Sequence, residues 1–310
     1  MRVLVTGASG FVGRRFLRHL QADGLQGVGL GRAPAEPDCI DWILVSGYDL
    51  PGLHQATLGM SFDGIVHLAA AGVHPADREV ASLVDGNVGA PVAVVQLASQ
   101  LQARFVVVAG SSAEYAQTRA PRLDEHATLE QGALYGATKA AGGLLALSVA
   151  TTLGVPCAVL RLFNVFGPGE APHRLLPTLH RNLKLGQAVA LSAGTQIRDF
   201  VHIDDACRAI MLAMRGLTDA SLAPGAYNVA TGIGHSVREF ALAVGDAMGK
   251  SSGLLEFGAL PMRPDDRHVV VGDASAFHAA TGWTPAVPFA VAVDRAVDEL
   301  NCQGSVKGCL

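Results

Sequence analysis

Short apolar runs alternate with helix-length segments through the first half of the chain. Val3-Leu4-Val5, Gly27-Val28-Gly29-Leu30, Ile43-Leu44-Val45, Ile65-Val66-His67-Leu68, Phe105 to Val108 and Ala158-Val159-Leu160 are nearly unbroken by polar residues. That pattern suits strands buried on both faces, as in a covered parallel sheet. Between them, Phe11 to Gln21, Ala90 to Gln102 and Ala133 to Thr152 carry apolar residues at helical spacing. Repeated strand–helix units predict an α/β fold built on a doubly wound parallel sheet. After about Phe166 the alternation loosens and Pro168, Pro172 and Pro177 crowd together. A smaller mixed α/β region over one edge of the sheet is expected there. The division this predicts is 1–165 for the sheet domain and 166–310 mainly for substrate, with 201–230 returning to the first. The closing stretch "NCQGSVKGCL" is polar and predicts a frayed end.

Length and charge narrow the class. The 310 residues suffice for one large or two modest domains with a well-buried core. A net charge of -4, with no run of Lys or Arg, argues against nucleic acid or an anionic membrane as partner. No apolar stretch reads as a bilayer span, and "MRVLVTGASG" reads as a first strand and not a leader. Cys39, Cys157, Cys207, Cys302 and Cys309 are scattered and lack CxxC spacing, which predicts reduced thiols in a cytoplasmic compartment. The histidines form no HExxH, and no metal is expected.

The first strand–helix turn, "VTGASGFVGRRF", carries Gly7, Gly10 and Gly13 and opens a helix at Phe11 and Val12. Such a turn needs glycine where the chain reverses, where backbone meets pyrophosphate, and where helix meets strand. The helix start then offers N–H donors to phosphate. Any tight turn can use glycine, but this one begins a strand–helix series, so a dinucleotide site in a Rossmann sheet is the stronger reading. An NAD site usually places an acid about 20 residues on. Here "GLGRAPAE" offers Arg32 instead, with Arg14 and Arg15 in the first helix, so NADP is expected ahead of NAD. The competing reading leaves Arg32 in solvent and gives the ribose to Glu36 or Asp38.

Tyr135 and Lys139 in "LYGATKAAGG" lie four apart, on one face of a predicted helix. A free phenol, with a pKa near ~10, shuttles protons poorly at neutral pH, and moving it to about 7 takes roughly 4 kcal/mol. A lysine and a nicotinamide cation nearby would favour phenolate. Taken alone the spacing is common; Tyr115 has Arg119 at the same interval. Gly142-Gly143 inside this helix costs about 1 kcal/mol per residue against alanine, which predicts close helix packing there.

"TGASGFVG", "HLAA", the strand ending at Ser111, "YGATK", "RLFNVFGPG", "RDFVHIDD", "YNVATG" and "GDASAFHAATGWTP" occur in that order. Together they resemble the extended short-chain dehydrogenase/reductases, the NAD(P)-dependent epimerase/dehydratase family acting on nucleotide sugars, across nearly the whole chain. The resemblance implies Tyr135 as general acid/base, Lys139 as its pKa partner and ribose ligand, and Ser111 as ligand of the reacting sugar oxygen. It implies Asn164, Arg198 and Arg263 at the nucleotide diphosphate, Ser112 beside the sugar, Asp49 near the adenine, and Ala69 and Ala70 along the cofactor channel. The arginine fork suits phosphate; a surface bridge from Arg198 to Asp199 or Asp204 is the alternative. His67 reads as a packed strand residue, and Asp204 and Asp205 as helix caps. The resemblance also implies a homodimer through the Tyr135 helix.

Dehydratases of this family usually place acid directly after the Ser111 position, where this chain has Ser112 and Ala113. Glu114 comes one residue later, on the opposite side of an extended segment. Dehydration is therefore disfavoured. NADPH-dependent reduction of a C4 keto group on a nucleotide sugar is the leading expectation and epimerisation through a transient ketone the second. A non-catalytic dinucleotide sensor would be expected to lose Ser111, Tyr135 or Lys139.

Overall fold

A computed structural model describes residues 1–33, 41–74, 76–263 and 266–306, the side chains of 303–306 excepted. Seven parallel strands form the central sheet: β1 (Arg2–Thr6), β2 (Gln26–Gly31), β3 (Asp41–Leu44), β4 (Gly64–His67), β5 (Phe105–Ser111), β6 (Cys157–Leu162) and β7 (Gly225–Val229). Their order is β7-β6-β5-β4-β1-β2-β3. The strand order reverses between β1 and β4, so the crevice beyond the strand ends lies beside Thr6 and His67, which pair in register.

Alternation along each strand builds two cores. Val3, Val5, Phe105 and Val107 face α1 (Phe11–Ala22), and Leu4, Ile65, Val106 and Val108 face the other way. The second face is covered by α2 (Leu50–Ala56), by the continuous helix formed from α3 (Val80–Val84), a π turn (Asp85–Gly89) and α4 (Ala90–Gln100), and by α5 (Leu134–Leu153). A third core gathers around Phe166, Phe200 and Phe240 on α6 (Leu175–Lys184), α8 (Val237–Ala247) and α10 (Phe289–Val306), separate from the sheet. Between these segments, α7 (Ile203–Thr218) and α9 (Ser275–Thr281) pack on the α1 face, and β7 extends the sheet beyond β6. Each fully buried Phe or Leu in these cores removes side chain worth about 2–3 kcal/mol from water.

Two expectations fail here. The segment Val80–Gln100 is long and apolar enough, by length and composition, to cross a membrane, and 44% of its apolar window is buried in the fold. The sequence pattern missed it because Asp85 and Gly86 interrupt a run that the π turn nevertheless carries as one helix. Within the polar C-terminal stretch, residues 301–306 are helical, carried by the helix that begins at Phe289 and buries Ala292, Val293, Ala296 and Val297, while 307–310 lie outside the described residues.

Candidate active site

The glycine turn is built for close approach. Gly7 has φ +64°, and a Cβ there would sit 2.5 Å from the Ala69 amide nitrogen. At Gly13 a Cβ would meet the Gly7 carbonyl oxygen at 2.2 Å, so the helix can lie against the strand end only without a side chain. Gly10 caps α1 without a side-chain hydrogen bond, and no acid stands in the first turn. The leading N–H groups, including those of Phe11 and Val12, are left to an anionic ligand. This chain therefore fits a dinucleotide pyrophosphate. Ala69 and Ala70 follow β4 beside this loop, and the Ala69 N–H donates to Thr6 Oγ1 at 3.4 Å.

The charged residues near the turn divide differently from the sequence reading. Arg15 is committed to Asp204 (2.5 Å) and Glu299 (2.6 Å), so it is no partner for a ribose phosphate. Arg14 donates to the Gly169 carbonyl at 3.2 Å. Arg32 lies exposed just past β2, while Glu36 and Asp38 fall outside the described residues. Asp49 caps α2, accepting from the Gly52 N–H at 2.9 Å. Asp204 and Asp205 are not helix caps: His202 caps α7, Asp204 binds Arg15 and His19, and Asp205 binds Arg208 and the Ala286 amide. Partners distant in sequence claim both carboxylates. His67 is buried, hydrogen-bonded to Thr6 Oγ1 at 2.8 Å, and held neutral by burial with its pKa lowered to about 3.

Strand β5 delivers Ser111 to the sheet edge, and α5 brings Tyr135 beside it. The Ser111 hydroxyl lies beside the phenol and favours its ionisation, but burial dominates and raises the Tyr135 pKa above its ordinary value. Glu114 raises it further, whereas Arg174 and Arg78 oppose, the latter with its guanidinium 5.7 Å from the Tyr135 ring centre. Lys139 is buried one helical turn on and donates from Nζ to the Ala109 carbonyl at 2.6 Å. Its pKa is lowered by burial and supported by Glu114. The protein by itself therefore favours the neutral phenol of Tyr135; the near-neutral pKa expected from the sequence drew on Lys139 and a nicotinamide cation together.

A cavity of about 340 Å³ opens in the C-terminal half and brings together Asn164, Arg198 and Arg263. Ser111 and Ser112 do not line it; the Ser112 carbonyl accepts from Arg267 at 3.4 Å. Arg198 pairs with Asp266, not with Asp199 or Asp204, and Gln196 donates to the same carboxylate at 2.8 Å. Asp199 instead accepts from the Thr231, Gly232 and Gly272 amides. Arg174 lines the cavity, and its positive charge also favours ionisation of the Tyr135 phenol. Sequence reasoning missed Arg174, Gln196, Asp266 and Arg78. Only the place of Arg174 soon after "RLFNVFGPG", and of Gln196 two residues before Arg198, marks them at all.

Gly142 and Gly143 are filled from within the chain. A Cβ at Gly142 would lie 1.7 Å from the Asn87 carbonyl oxygen on the π turn, and one at Gly143 would lie 3.3 Å from Val159. Their close packing is with this chain's own helix and sheet.

Residues 3–230 match the model of the NAD dependent epimerase/dehydratase family. The chain is 28% identical over 313 residues to a dTDP-glucose 4,6-dehydratase of Streptomyces niveus, covering 94% of this chain and 90% of that one. Among solved structures, the Thermus thermophilus UDP-glucose 4-epimerase in complex with NAD superposes with a TM-score of 0.86 at 28% identity, over 97% of this chain and 99% of the other. MoeE5 in complex with UDP-glucose and NAD gives 0.84 at 27% identity, over 98% and 99%.

Proposed function

The chain belongs to the NAD dependent epimerase/dehydratase family, and we propose that it is a ketoreductase, reducing a C4 keto group on a nucleotide-linked sugar at the expense of NADPH. As an enzyme of this family it works with a nicotinamide dinucleotide, which supplies or accepts a hydride when bound. The observation that carries the reading is the Ser111–Tyr135 pair at the sheet edge, with the phenol held neutral. A neutral phenol is a proton donor, the role needed when a carbonyl becomes an alcohol. Ser111 then holds the carbonyl oxygen, and Lys139 sits one turn behind Tyr135 to bond the ribose.

The cavity lined by Asn164, Arg198 and Arg263 suits the nucleotide diphosphate, with Arg263 supplying a planar donor fork and Arg198 held in the wall by Asp266. Dehydration would need a further acid and base near the sugar. Ser112 and Ala113 provide neither, and Glu114 is fully buried in an ion pair with Arg161, at 2.9 Å. With Arg15 committed elsewhere, Arg32 is the residue left to meet a 2′-phosphate. Exposed Leu144, Leu145 and Leu153 on α5 support homodimer formation through that helix.

Epimerisation is the second reading, favoured by the likeness to the Thermus thermophilus epimerase over nearly the full length of both chains. The test is a panel of nucleotide sugars and their 4-keto derivatives with NADPH or NADH, followed by nicotinamide absorbance and product analysis. Stoichiometric NADPH oxidation with a 4-keto substrate supports the reductase. Interconversion of two sugars without net oxidation overturns it in favour of the epimerase.

A further inference from the structure

Behind Ser111 lies a carboxylate that the reaction above does not use. Glu114 is fully buried in the first turn after β5. One of its oxygens accepts the Ser111 N–H at 2.7 Å, and the other accepts Arg161 Nε at 2.9 Å. Arg161 is in turn held by the Tyr115 hydroxyl and the Glu125 carbonyl, each at 3.0 Å. Tyr115 donates to Asn228 Oδ1 at 2.6 Å, and Asn228 donates to the Leu123 and Asp273 carbonyls. The chain of bonds runs from the strand at the sheet's edge to the backbone of Ser111, and every link is buried or nearly so.

Room for the carboxylate is made by glycine on both sides. A Cβ at Gly110 would lie 2.6 Å from Glu114 Oε1, and one at Gly143 would lie 3.7 Å from Oε2. The anion thus sits in a slot between β5 and α5, the two elements that carry Ser111, Tyr135 and Lys139. Burying a carboxylate there is costly unless it is paired and fully hydrogen-bonded, as this one is.

We propose that Glu114 is a positioning residue for the reaction, fixing Ser111 through its N–H and setting a carboxylate between the strand that carries Ser111 and the helix that carries Tyr135 and Lys139. The proposal rests on Tyr135 being the acid/base. The groups whose charge or polarity bears on the Tyr135 phenol are Ser111, Glu114, Arg174 and Arg78; Glu114 bears on Lys139, which in turn disfavours the charged form of His67. Within that set Glu114 is the one anion that opposes phenolate and supports the ammonium. Burial dominates and raises its own carboxyl above the ordinary range, with Lys139, Arg161 and the Ser111 N–H opposing that rise and favouring the anion.

The test is Glu114→Gln, which keeps the shape and the bond from the Ser111 N–H but removes the charge. Tyr135 is titrated directly by phenolate absorbance, as the difference between each protein and its Tyr135→Phe counterpart. Loss of the anion is expected to lower the Tyr135 midpoint by about one pH unit and to move the basic limb of kcat/KM for reduction down with it. An unmoved midpoint and an unmoved limb, in a folded variant, overturn the proposal. If Glu114→Gln alone does not fold, Glu114→Gln with Arg161→Met is compared with Arg161→Met alone, so that the difference between them reads only the loss of the carboxylate. Tyr135→Phe separates the two readings: if it still turns over, the acid/base assignment fails, whereas the absorbance titration still reports on Glu114.

Discussion

Gly142→Ala is the substitution for which the structure gives the firmest number. In an unconstrained helix interior, replacing glycine by alanine gains about 1 kcal/mol. Here the new Cβ would sit 1.7 Å from the Asn87 carbonyl oxygen and 2.9 Å from its carbonyl carbon. An ordinary carbon–oxygen contact needs roughly 3.4 Å or more, so backbone must move by well over an ångström; the obstacle is not the end of a flexible side chain. The π turn cannot yield freely. Asn87 is buried, its side chain accepts from the Ala71 N–H at 2.9 Å, and it donates to the Ala71 carbonyl and to Thr138 Oγ1, each at 3.2 Å. Overpacking of this kind costs about 1–3 kcal/mol, and disturbing two of these three hydrogen bonds about 1 kcal/mol each. Against the propensity gain, a net loss of about 2–4 kcal/mol is expected, read as a lower midpoint in urea or heat. Gly143→Ala, whose Cβ would approach Val159 at 3.3 Å, serves as the comparison and should change stability by under about 1 kcal/mol. Equal stability of Gly142→Ala and the parent would refute the packing argument. A change in oligomeric state at unchanged monomer stability would place the glycine pair at an interface between copies instead.

Tyr135→Phe should remove most turnover while leaving dinucleotide affinity nearly unchanged by fluorescence titration, because only the proton path is lost; equal damage to both would make Tyr135 a binding residue. Arg32→Asp should move the NADPH/NADH preference in kcat/KM towards NADH by tenfold or more, about 1.4 kcal/mol, and no movement would mean that Arg32 does not meet the cofactor. His67 is neutral when folded, with a pKa of about 3 against 6.5 when free, so the unfolded chain takes up the proton first. Stability is therefore complete above about pH 6.5 and falls as pH drops towards 3, with a limiting slope near 1.4 kcal/mol per pH unit. His67→Gln should flatten that slope in denaturant titrations at several pH values, and an unchanged slope would assign it to other groups.

The strands and their burial were legible because β1, β4, β5 and β6 are almost purely apolar, and a run of that kind has one economical fate, the middle of a covered sheet. β7 was not, because "AYNV" alternates too briefly and depends on pairing with β6, from Gly225 with Ala158 to Val229 with Leu162. The glycine turn was equally readable, since its demands are local: Gly7 turns back at positive φ and Gly13 admits the helix against the strand. Helix boundaries failed where a tertiary contact decided them. Asn87 draws the π turn onto Ala71 and Thr138, and no periodicity within residues 80–100 encodes partners at either.

The charged residues show the same limit more sharply. Type and position nominated Arg15 for a phosphate and Arg198 for a surface bridge or a substrate, yet the partners that decide are remote: Asp204 is 189 residues from Arg15, and Asp266 is 68 from Arg198. An arginine fork binds a carboxylate and a phosphate by the same geometry, so sequence alone could not say which of the two it meets. Glu114 carries the argument one step further. In the sequence it is an acid displaced by one residue from where dehydration would want it; an extended segment is expected there, but the chain turns into a short 3-10 helix after β5 and that turn carries Glu114 inward. The fold meets that inward turn with Arg161, the Ser111 N–H and space beside Gly110 and Gly143. A carboxylate that cannot reach the sugar can still act on it, through the hydroxyl it positions and the charges it holds in place.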